Sequence, residues 1–191
     1  MKTQRLAIFA SGNGSNAVRL IEHFRNHPEI KVVTVLSNNK NAGVIEKVKN
    51  ENIEKLVITN DEAANGKLLI DLMQKQGVDY IILAGYLRKI PAELINAFEE
   101  KIINVHPALL PKFGGKGMYG IHVHQAVKEA REKETGISIH LVNQNFDEGR
   151  VLARHKVIVD EFDEKEEIQR KVQALEHHFF AKEIEKYILK K

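Results

Sequence analysis

The sequence predicts an α/β fold, a doubly wound and mostly parallel sheet with helices on both faces. Its apolar stretches, such as residues 6–10 and 80–84, are continuous rather than alternating, which is typical of strands covered on both sides. Segments with helical spacing separate them, so the strands belong to βαβ units. With 191 residues, 43% of them hydrophobic, the chain is expected to form a single domain that buries roughly 70% of its unfolded surface.

The expected elements follow in order along the chain. Strands are predicted at residues 6–10, 31–36, 55–59, 80–84, 101–105, 137–142 and 151–159. Helices are predicted near residues 17–26, 42–50, 66–76, 91–98 and 122–134, and a closing helix begins after Asp163. Asp163 is expected to cap the closing helix, with Glu166 three residues further on. An apolar stripe is expected to dock that helix on the core: Ile168, Val172, Leu175 and Phe179.

Composition excludes several classes of protein. The 29 Lys and Arg residues exceed the 26 Asp and Glu residues by only 3 and are scattered, so no nucleic-acid surface is expected. Cysteine is absent, which excludes disulfides, thiolate metal sites and cysteine nucleophiles. The apolar runs at 6–10 and 80–87 are too short for a signal peptide and a membrane span respectively. We therefore expect a cytoplasmic protein without a membrane partner.

A glycine-rich turn, SGNGSN at residues 11–16, follows the first predicted strand. Together with Ala17 it fits the GxGxxA pattern, yet the second strand ends in SNN at 37–39, without an acidic residue for a ribose hydroxyl, which disfavours a dinucleotide. Backbone N–H groups at the start of the next helix, together with the polar side chains of the turn, suit a single terminal phosphate. The alternative is a plain strand-to-helix turn with Asn16 as the N-cap.

Three polar residues are expected at the carboxyl edge of the sheet, where open α/β folds bind ligands. Asn104 and His106 share one side of the fifth strand, and Asp147 follows a later strand. An amide, an imidazole and a carboxylate suit acyl transfer between two nitrogens. Asn104 and a protonated His106 would stabilise the anionic oxygen, while His106 and Asp147 would move protons. Structural roles are the alternative, at a strand terminus closed by Pro107 and in a turn before Gly149.

Histidines elsewhere in the chain raise the question of a metal site, which we do not expect. His122 and His124 are two residues apart at a predicted helix start, so their side chains would not face together. His140 lies on a later strand, where alternation places it with Ser138 on one face. A shared ion for these three histidines is therefore not predicted.

Seven segments resemble the family of phosphoribosylglycinamide formyltransferases, folate-dependent enzymes of purine biosynthesis. They are SGNGSN (11–16), LAGYLRKI (83–90), INVHPALLPKF (103–113), HVHQAV (122–127), GISIHLV (136–142), the loop with Asp147, and VQALEH (172–177). Together they extend over nearly the whole chain. INVHPALLP alone is shared by formyl-transfer folds in general, whereas the SGNGSN loop and the short chain are typical of this family.

The resemblance implies a Rossmann-like formyltransferase fold, with a phosphate-binding half at about residues 1–100 and a catalytic, folate-binding half at about 101–191. It implies transfer of a formyl group from 10-formyltetrahydrofolate to the amine of glycinamide ribonucleotide (GAR) in IMP synthesis, without a metal. The implied catalytic residues are Asn104, His106 and Asp147. The implied GAR-binding residues are Gly12, Asn13, Gly14, Ser15, Asn16, Gln173 and Glu176. The implied folate-binding residues are Leu87, Arg88, Lys89, Ile90 and His140, with residues 142–147 as an opposite wall.

Two segments depart from the family pattern. Residues 113–121 add several glycine-rich positions before the histidines, with Lys112 and Lys116, and we expect them to form a mobile flap over the site. After Asp147 the chain reads EGR, where Gly-Gly-Pro is common in the family, so we expect pterin contacts there to differ. Without the resemblance, residues 87–90 would be interpreted only as the exit loop of a buried strand.

Three other functions are alternatives to this one. Methionyl-tRNA formyltransferase normally carries an additional C-terminal RNA-binding domain, and formyltetrahydrofolate hydrolase an additional N-terminal regulatory domain, and 191 residues leave room for neither. A noncatalytic nucleotide-binding module would use only residues 12–17 and would leave Asn104, His106 and Asp147 unexplained. The sequence does not decide between a monomer and a homodimer.

Overall fold

The structure of the protein is a computed structural model that describes residues 2–190. Met1 and Lys191, the ends of the predicted domain, lie outside the described residues. The chain forms two compact units, Met1–Ile103 and Asn104–Lys191. This division lies near the boundary of about residue 100 expected between the two halves. The single-domain organisation of residues 1–191 stays a prediction.

The first unit alternates strands with helices. Its strands are β1 (Gln4–Phe9), β2 (Ile30–Ser37), β3 (Glu54–Val57), β4 (Tyr80–Leu83) and the beginning of β5 (Ile102–His106). Its helices are α1 (Ser15–Phe24), α2 (Gly43–Lys47), α3 (Asn60–Ala63), α4 (Gly66–Lys75) and α5 (Ala92–Ala97). Each predicted strand and helix of this half is present, with ends shifted by a few residues.

The strands of the first unit are hydrogen-bonded in the order β3-β2-β1-β4-β5. The pairs β1 with β2, β1 with β4, and β2 with β3 are all parallel. Residues 6–9 of β1 are fully buried, although successive side chains of a strand point to opposite faces. Both faces of β1 are therefore covered, as the continuous apolar runs predicted, and the parallel α/β arrangement is confirmed.

One predicted strand end was wrong, at residues 58 and 59. The strand β3 stops at Val57, and Thr59 is the N-cap of the unpredicted short helix α3. Its hydroxyl accepts a hydrogen bond from the Glu62 N–H, and the Glu62 carboxylate accepts one from the Thr59 N–H. This reciprocal capping box outweighs the β propensity of the threonine.

The second unit begins within β5 and continues with α6 (Ile121–Glu129), β6 (Glu134–Leu141), β7 (Val151–Ile158) and α7 (Lys165–Leu189). Its strands are hydrogen-bonded in the order β5-β6-β7, and β6 pairs with β7 in the antiparallel sense. The long helix α7 packs on β6, β7 and α6. Among residues 2–190, no helix is both long and apolar enough to cross a bilayer.

Three details of this half differ from the prediction. Helix α6 ends at Glu129 rather than 134, because Arg131 adopts a left-handed φ of 52° that ends a helix. The N-cap of α7 is Glu164, not Asp163. The Asp163 carboxylate instead accepts hydrogen bonds from the Asp160 N–H and the Lys171 ammonium. The apolar stripe of α7 includes further buried residues. Those are Phe180, Ala181, Ile184 and Ile188, whereas Leu175 and Phe179 are half-buried.

Candidate active site

The glycine-rich loop of the first unit leads directly from β1 into α1. Gly14 is the N-cap of α1, with a left-handed φ of 75°, and no side chain caps the helix. The alternative in which Asn16 is the N-cap was therefore wrong. A Cβ on Gly14 would lie 2.5 Å from the Cβ of Val44, so only glycine fits this position without movement. The uncapped N–H groups of a ten-residue helix are suited to bind a phosphate.

The side chains of this loop are held by neighbours within the first unit. The Ser11 hydroxyl donates to the Asn38 side-chain oxygen (2.6 Å) and accepts from the Leu87 N–H (2.9 Å). The Lys47 ammonium lies 2.7 Å from the side-chain oxygen of Asn13. The sequence does not identify Lys47, because only the packing of α2 on the loop brings it to Asn13.

Asn104 and His106 lie in the part of β5 that belongs to the second unit. His106 is only 3% exposed, and its Nε2 lies 2.7 Å from the backbone oxygen of Phe113. A carbonyl can only accept, so Nε2 carries the hydrogen and Nδ1 lacks one in the neutral ring. The Asn104 amide nitrogen lies 3.1 Å from Nε2 of His140. Both predicted residues of β5 are thus fixed by contacts distant in sequence.

Asp147 joins the two histidines of the second unit. Its carboxylate oxygens lie 3.5 Å from His106 Nδ1 and 3.5 Å from His140 Nε2, and it accepts a hydrogen bond from the Gly115 N–H (2.9 Å). Its backbone is in the left-handed region, with a φ of 58°. Such a conformation is strained for a residue other than glycine and indicates a position held by its surroundings. The structure thus links Asn104 to His140, His140 to Asp147, and Asp147 to His106.

Burial and neighbouring groups act in opposite directions on the pKa values of His106 and Asp147. It lowers the pKa of His106 below the ordinary value, although Asp147 and the Phe113 carbonyl act to raise that pKa and His140 lowers it further. Burial raises the pKa of Asp147, but its contact with His140, the charge of His106 and the Gly115 N–H outweigh burial and lower it overall. The resting site therefore holds a neutral imidazole beside an ionised carboxylate.

His140 was predicted among the folate-binding residues, yet its contacts are with the catalytic candidates. It is 2% exposed, and its Nδ1 lies 2.8 Å from the backbone oxygen of Leu141. That carbonyl fixes the hydrogen on Nδ1, so Nε2 is free to accept from the Asn104 amide. His140 thus holds the Asn104 amide and lies beside Asp147, a position that alternation on β6 alone does not reveal.

The remaining predicted folate-binding residues lie after β4 in the first unit. Leu87 is 56% exposed, and Arg88 and Lys89 are exposed as well, whereas Ile90 is buried. The segment thus presents one apolar and two basic side chains to solvent and keeps one in the core. These positions agree with an exit loop after a buried strand, and folate binding there stays a prediction.

Gln173 and Glu176, the predicted ribose and glycinamide ligands, lie on α7. Gln173 is exposed and Glu176 is half-buried. Their spacing of three residues places them on the same side of the helix. Their role in GAR binding stays a prediction.

The predicted flap touches the catalytic residues at its beginning. The Phe113 carbonyl contacts His106, and the Gly115 N–H donates to Asp147. Left-handed φ values occur at Phe113 (56°) and at glycines 115, 117 and 120. These two backbone groups could not be predicted as parts of the site, because any residue type carries them. Motion of this segment stays a prediction.

His124, which the sequence does not predict to be a metal ligand, is a buried titratable group near this network. It is 3% exposed, and burial first, then the charge of His106, lowers its pKa to about 4. Its helix neighbour His122 is exposed and contacts the Tyr119 ring edge-on. Within residues 2–190, no three His, Asp or Glu side chains are grouped to hold a metal ion.

Comparisons with known proteins identify the family of the chain. Residues 4–184 match the family described as Formyl transferase. The chain is 41% identical to the chloroplastic phosphoribosylglycinamide formyltransferase of Arabidopsis thaliana, over 94% of this chain and 64% of the relative. It is 30% identical to the phosphoribosylglycinamide formyltransferase of Bacillus subtilis, over 97% of this chain and 95% of the relative.

A solved structure of a relative has a similar fold. The crystal structure of phosphoribosylglycinamide formyltransferase from Bacillus halodurans superposes with a TM-score of 0.87 at 30% identity, covering 97% of this chain and 95% of that one. The chain spans 64% of the length of the Arabidopsis relative, but nearly all of both bacterial ones. By its sequence and its fold, the chain belongs to the formyl transferase family, among relatives named phosphoribosylglycinamide formyltransferase.

Proposed function

We propose that the chain transfers a formyl group from 10-formyltetrahydrofolate to the amine of GAR, in the synthesis of IMP. The observation that carries this proposal is the buried network at the end of β5, in which Asp147 contacts both His106 and His140 and the latter contacts Asn104. The names of the relatives supply the acceptor. The network supplies the groups that acyl transfer between two nitrogens requires.

The proposed reaction is direct. The GAR amine attacks the formyl carbon, a C–N bond forms, and the carbonyl oxygen becomes anionic in a tetrahedral intermediate. The amide of Asn104 and the protonated ring of His106 stabilise that oxygen by hydrogen bonds. The bond between the formyl carbon and N10 of the folate then breaks, and N10 takes up, by way of His106, the proton that the amine has lost. No covalent bond to the protein forms.

Proton transfer is the task of His106 and Asp147. The amine must lose a proton as it attacks, and a neutral imidazole can receive it directly or through water. The ionised carboxylate 3.5 Å from Nδ1 favours the imidazolium that results. A ring that is neutral at rest can therefore accept the proton of the amine. The nearby carboxylate then favours the protonated ring, which stabilises the anionic oxygen.

Substrate binding is proposed for two further sets of residues. The loop of Gly12, Asn13, Gly14, Ser15 and Asn16 would bind the GAR phosphate, and Gln173 and Glu176 its ribose and glycinamide parts. Leu87, Arg88, Lys89 and Ile90 would contact the folate. Replacing Ser15 or Asn13 by alanine should then weaken GAR binding, measured by calorimetry, more than it lowers kcat.

One experiment separates the candidate acceptors. The protein is supplied with 10-formyltetrahydrofolate and either GAR, initiator methionyl-tRNA or water alone, and the formylated product is identified. Formyl-GAR supports the proposal, whereas formyl-methionyl-tRNA, or formate without acceptor, assigns one of the rival functions. A noncatalytic nucleotide-binding module would give none of these products. The expected cytoplasmic location is checked by cell fractionation.

A further inference from the structure

A cavity of about 310 Å³ lies in the second unit, outside the catalytic network. It is formed between the loop that follows β5 and the paired strands β6 and β7. Of the residues that the structure describes, none that was assigned to catalysis, GAR or folate lines it. Its volume lies within the range of roughly 300–1,000 Å³ that is usual for small-molecule sites. The proposed function therefore assigns no ligand to this cavity.

Hydrogen bonds and close packing hold the loop against the two strands. The Ser138 hydroxyl of β6 accepts from the Leu110 N–H (2.9 Å). Arg154 of β7, the cross-strand partner of Ser138, donates from Nε to the Leu110 carbonyl (3.2 Å). Gly136 shares the face of Ser138, and a Cβ there would lie 3.0 Å from a methyl carbon of Leu109. These contacts fix the walls of the cavity.

The loop supplies an apolar wall. The cavity is lined by Leu109, Leu110, Pro111 and Phe113. Leu110 is buried, Leu109 and Phe113 are half-buried, and Pro111 is exposed. An apolar group in the cavity would remove part of this surface from water, which is favourable. The loop therefore favours a ligand with an apolar body.

Five charged side chains also line the cavity. Four of them form two ion pairs, Lys112 with Glu132 (2.7 Å) and Lys156 with Glu134 (2.6 Å). The fifth, Arg154, has no carboxylate partner within residues 2–190. Only its Nε contacts Leu110, so the N–H groups on its two terminal nitrogens remain for another acceptor. The cavity thus has one positive charge without a counter-charge.

The guanidinium of Arg154 determines the class of ligand. Its two terminal nitrogens match the two oxygens of a carboxylate. Glu132 and Glu134 would repel a second negative charge, which disfavours a phosphate monoester of charge about −1.5 to −2. We propose that the cavity binds an organic monocarboxylate, with the carboxylate on Arg154 and the apolar body against residues 109–113. This site goes beyond GAR formylation and does not depend on it.

Octanoate is a suitable probe, because two related compounds each lack one of its parts. Calorimetry should show saturable binding of octanoate, binding of 1-octanol that is weaker by about tenfold or more, and no binding of acetate at the same concentrations. In NMR titrations, octanoate should shift the methyl resonances of Leu109 and Leu110. The methyls of Ile139, on the opposite face of β6 from Ser138, should not shift. Octanoate binding that leaves the Leu109 and Leu110 methyls unshifted would overturn the proposal, as would absence of binding.

Arg154→Gln tests the carboxylate contact. It should weaken octanoate binding roughly ten- to hundredfold, the effect of losing a hydrogen bond to a charged group, and change 1-octanol binding less than about twofold. Lys133→Gln removes the charge of an exposed lysine that does not line the cavity, and should match the parent protein. Equal octanoate affinity in Arg154→Gln and the parent protein would overturn the proposal. An equal loss with octanoate and 1-octanol would show a structural role alone and overturn it as well.

Leu109→Ala provides a second test that leaves the guanidinium in place. It should weaken octanoate and 1-octanol binding by a similar factor, because both lose the same apolar wall. Unchanged affinities would contradict the assigned position of the apolar body. Thermal unfolding verifies that the three variants are folded.

Competition separates this cavity from the active site. The Kd of octanoate should stay the same when GAR and a non-reactive folate are present at saturating concentrations. Displacement of octanoate by either compound would place it in the active site and overturn the proposal. Octanoate binding that meets these criteria supports the site even in a protein that does not formylate GAR.

Discussion

The carboxylate of Asp147 lies 3.5 Å from Nδ1 of His106, and both side chains are largely buried. Burial lowers the pKa of the imidazole, whereas the carboxylate acts to raise it. The ring is therefore neutral at rest. Its unprotonated nitrogen, Nδ1, faces the negative charge of Asp147. This relationship makes His106 sensitive to the charge of Asp147, and the first prediction follows from it.

Asp147→Asn should lower the pKa of His106 below its value in the parent protein. The sign follows because burial continues to disfavour the imidazolium while the carboxylate that favours it is removed. Titration of the His106 ring by NMR measures the change. Glu148→Gln, at the exposed neighbour whose carboxylate accepts from Asn145, is the control and should leave the titration unaltered. A higher pKa in Asp147→Asn would contradict this assignment of causes.

His106→Ala should lower kcat for GAR formylation by about 10²- to 10⁴-fold, the contribution typical of a general acid–base group. The dissociation constant of GAR should change less than about threefold, because the ring acts mainly on charge that develops in the transition state. Steady-state kinetics and calorimetry measure the two quantities. His122→Ala is the control, since that side chain is exposed. A variant with near-parent kcat would remove His106 from the mechanism.

His124 should make the protein less stable as the pH falls from about 6.5 towards 4. The unfolded histidine takes up a proton near pH 6.5, whereas in the folded state burial and the His106 charge hold its pKa at about 4. The unfolded state thus binds more protons in this window, at a cost to stability on the order of 3 kcal/mol. Above about pH 6.5 His124 does not lower the free energy of unfolding, and below about pH 4 the whole of this cost has been reached.

The measurement is urea unfolding of the parent protein and His124→Gln between pH 7.5 and 4.5. The variant should show a shallower fall in the free energy of unfolding, whatever its absolute stability. His122→Gln, on the same helix but exposed, should keep the parent's slope. An identical slope in His124→Gln and the parent protein would show that His124 does not carry this dependence.

Gly14→Ala should destabilise the protein by roughly 2 kcal/mol or more, through overpacking and the cost of a left-handed alanine. A Cβ there would lie 2.5 Å from Val44, at a φ of 75°. Gly12→Ala tests the same loop without the clash, because nothing lies within 4 Å of its Cβ position. Its free energy of unfolding should stay within about 0.5 kcal/mol of the parent's. Equal effects of the two substitutions in chemical denaturation would refute this packing argument.

The segment of residues 113–121 should be protected from proteolysis when both substrates are bound. Lys112 and Lys116 provide tryptic sites, and both side chains are exposed. If the segment closes over the site as a flap, GAR together with a non-reactive folate should slow cleavage there several-fold. Cleavage at the exposed Lys133 serves as the internal control. Unchanged cleavage at both flap sites with saturating ligands would count against a flap.

The sequence predicted the strands well because their signal is local. Continuous apolar runs mark β1, β2 and β4 whatever lies around them, and the fully buried residues 6–9 confirm that interpretation. Errors occurred at the ends of elements. Thr59 caps α3 instead of extending β3, and Arg131 ends α6 by adopting a left-handed conformation. The capping box of Thr59 depends on specific hydrogen bonds, and neither element end follows from periodicity.

The candidate site was predictable in its residue types and only partly in its contacts. The alternation of β5 placed Asn104 and His106 on one side, but no local rule brings Asp147 to His106. The contacts of the Phe113 carbonyl, the Gly115 N–H and His140 with these residues were missed, as was Lys47 beside Asn13. Every residue type carries a backbone carbonyl, and all but proline an N–H, so the sequence does not show which of these groups contact the site. Packing decides which residues distant in sequence come into contact.

The sequence by itself determined the parallel α/β class, the order of the strands along the chain and the polar residues at their ends, because hydrophobic period and chain polarity are local properties. The tertiary structure alone decided that His140 joins Asn104 to Asp147 and that burial keeps His106 neutral. Proton affinity depends on the distance to other charges and on exclusion of water. Both quantities exist only once distant segments have packed together.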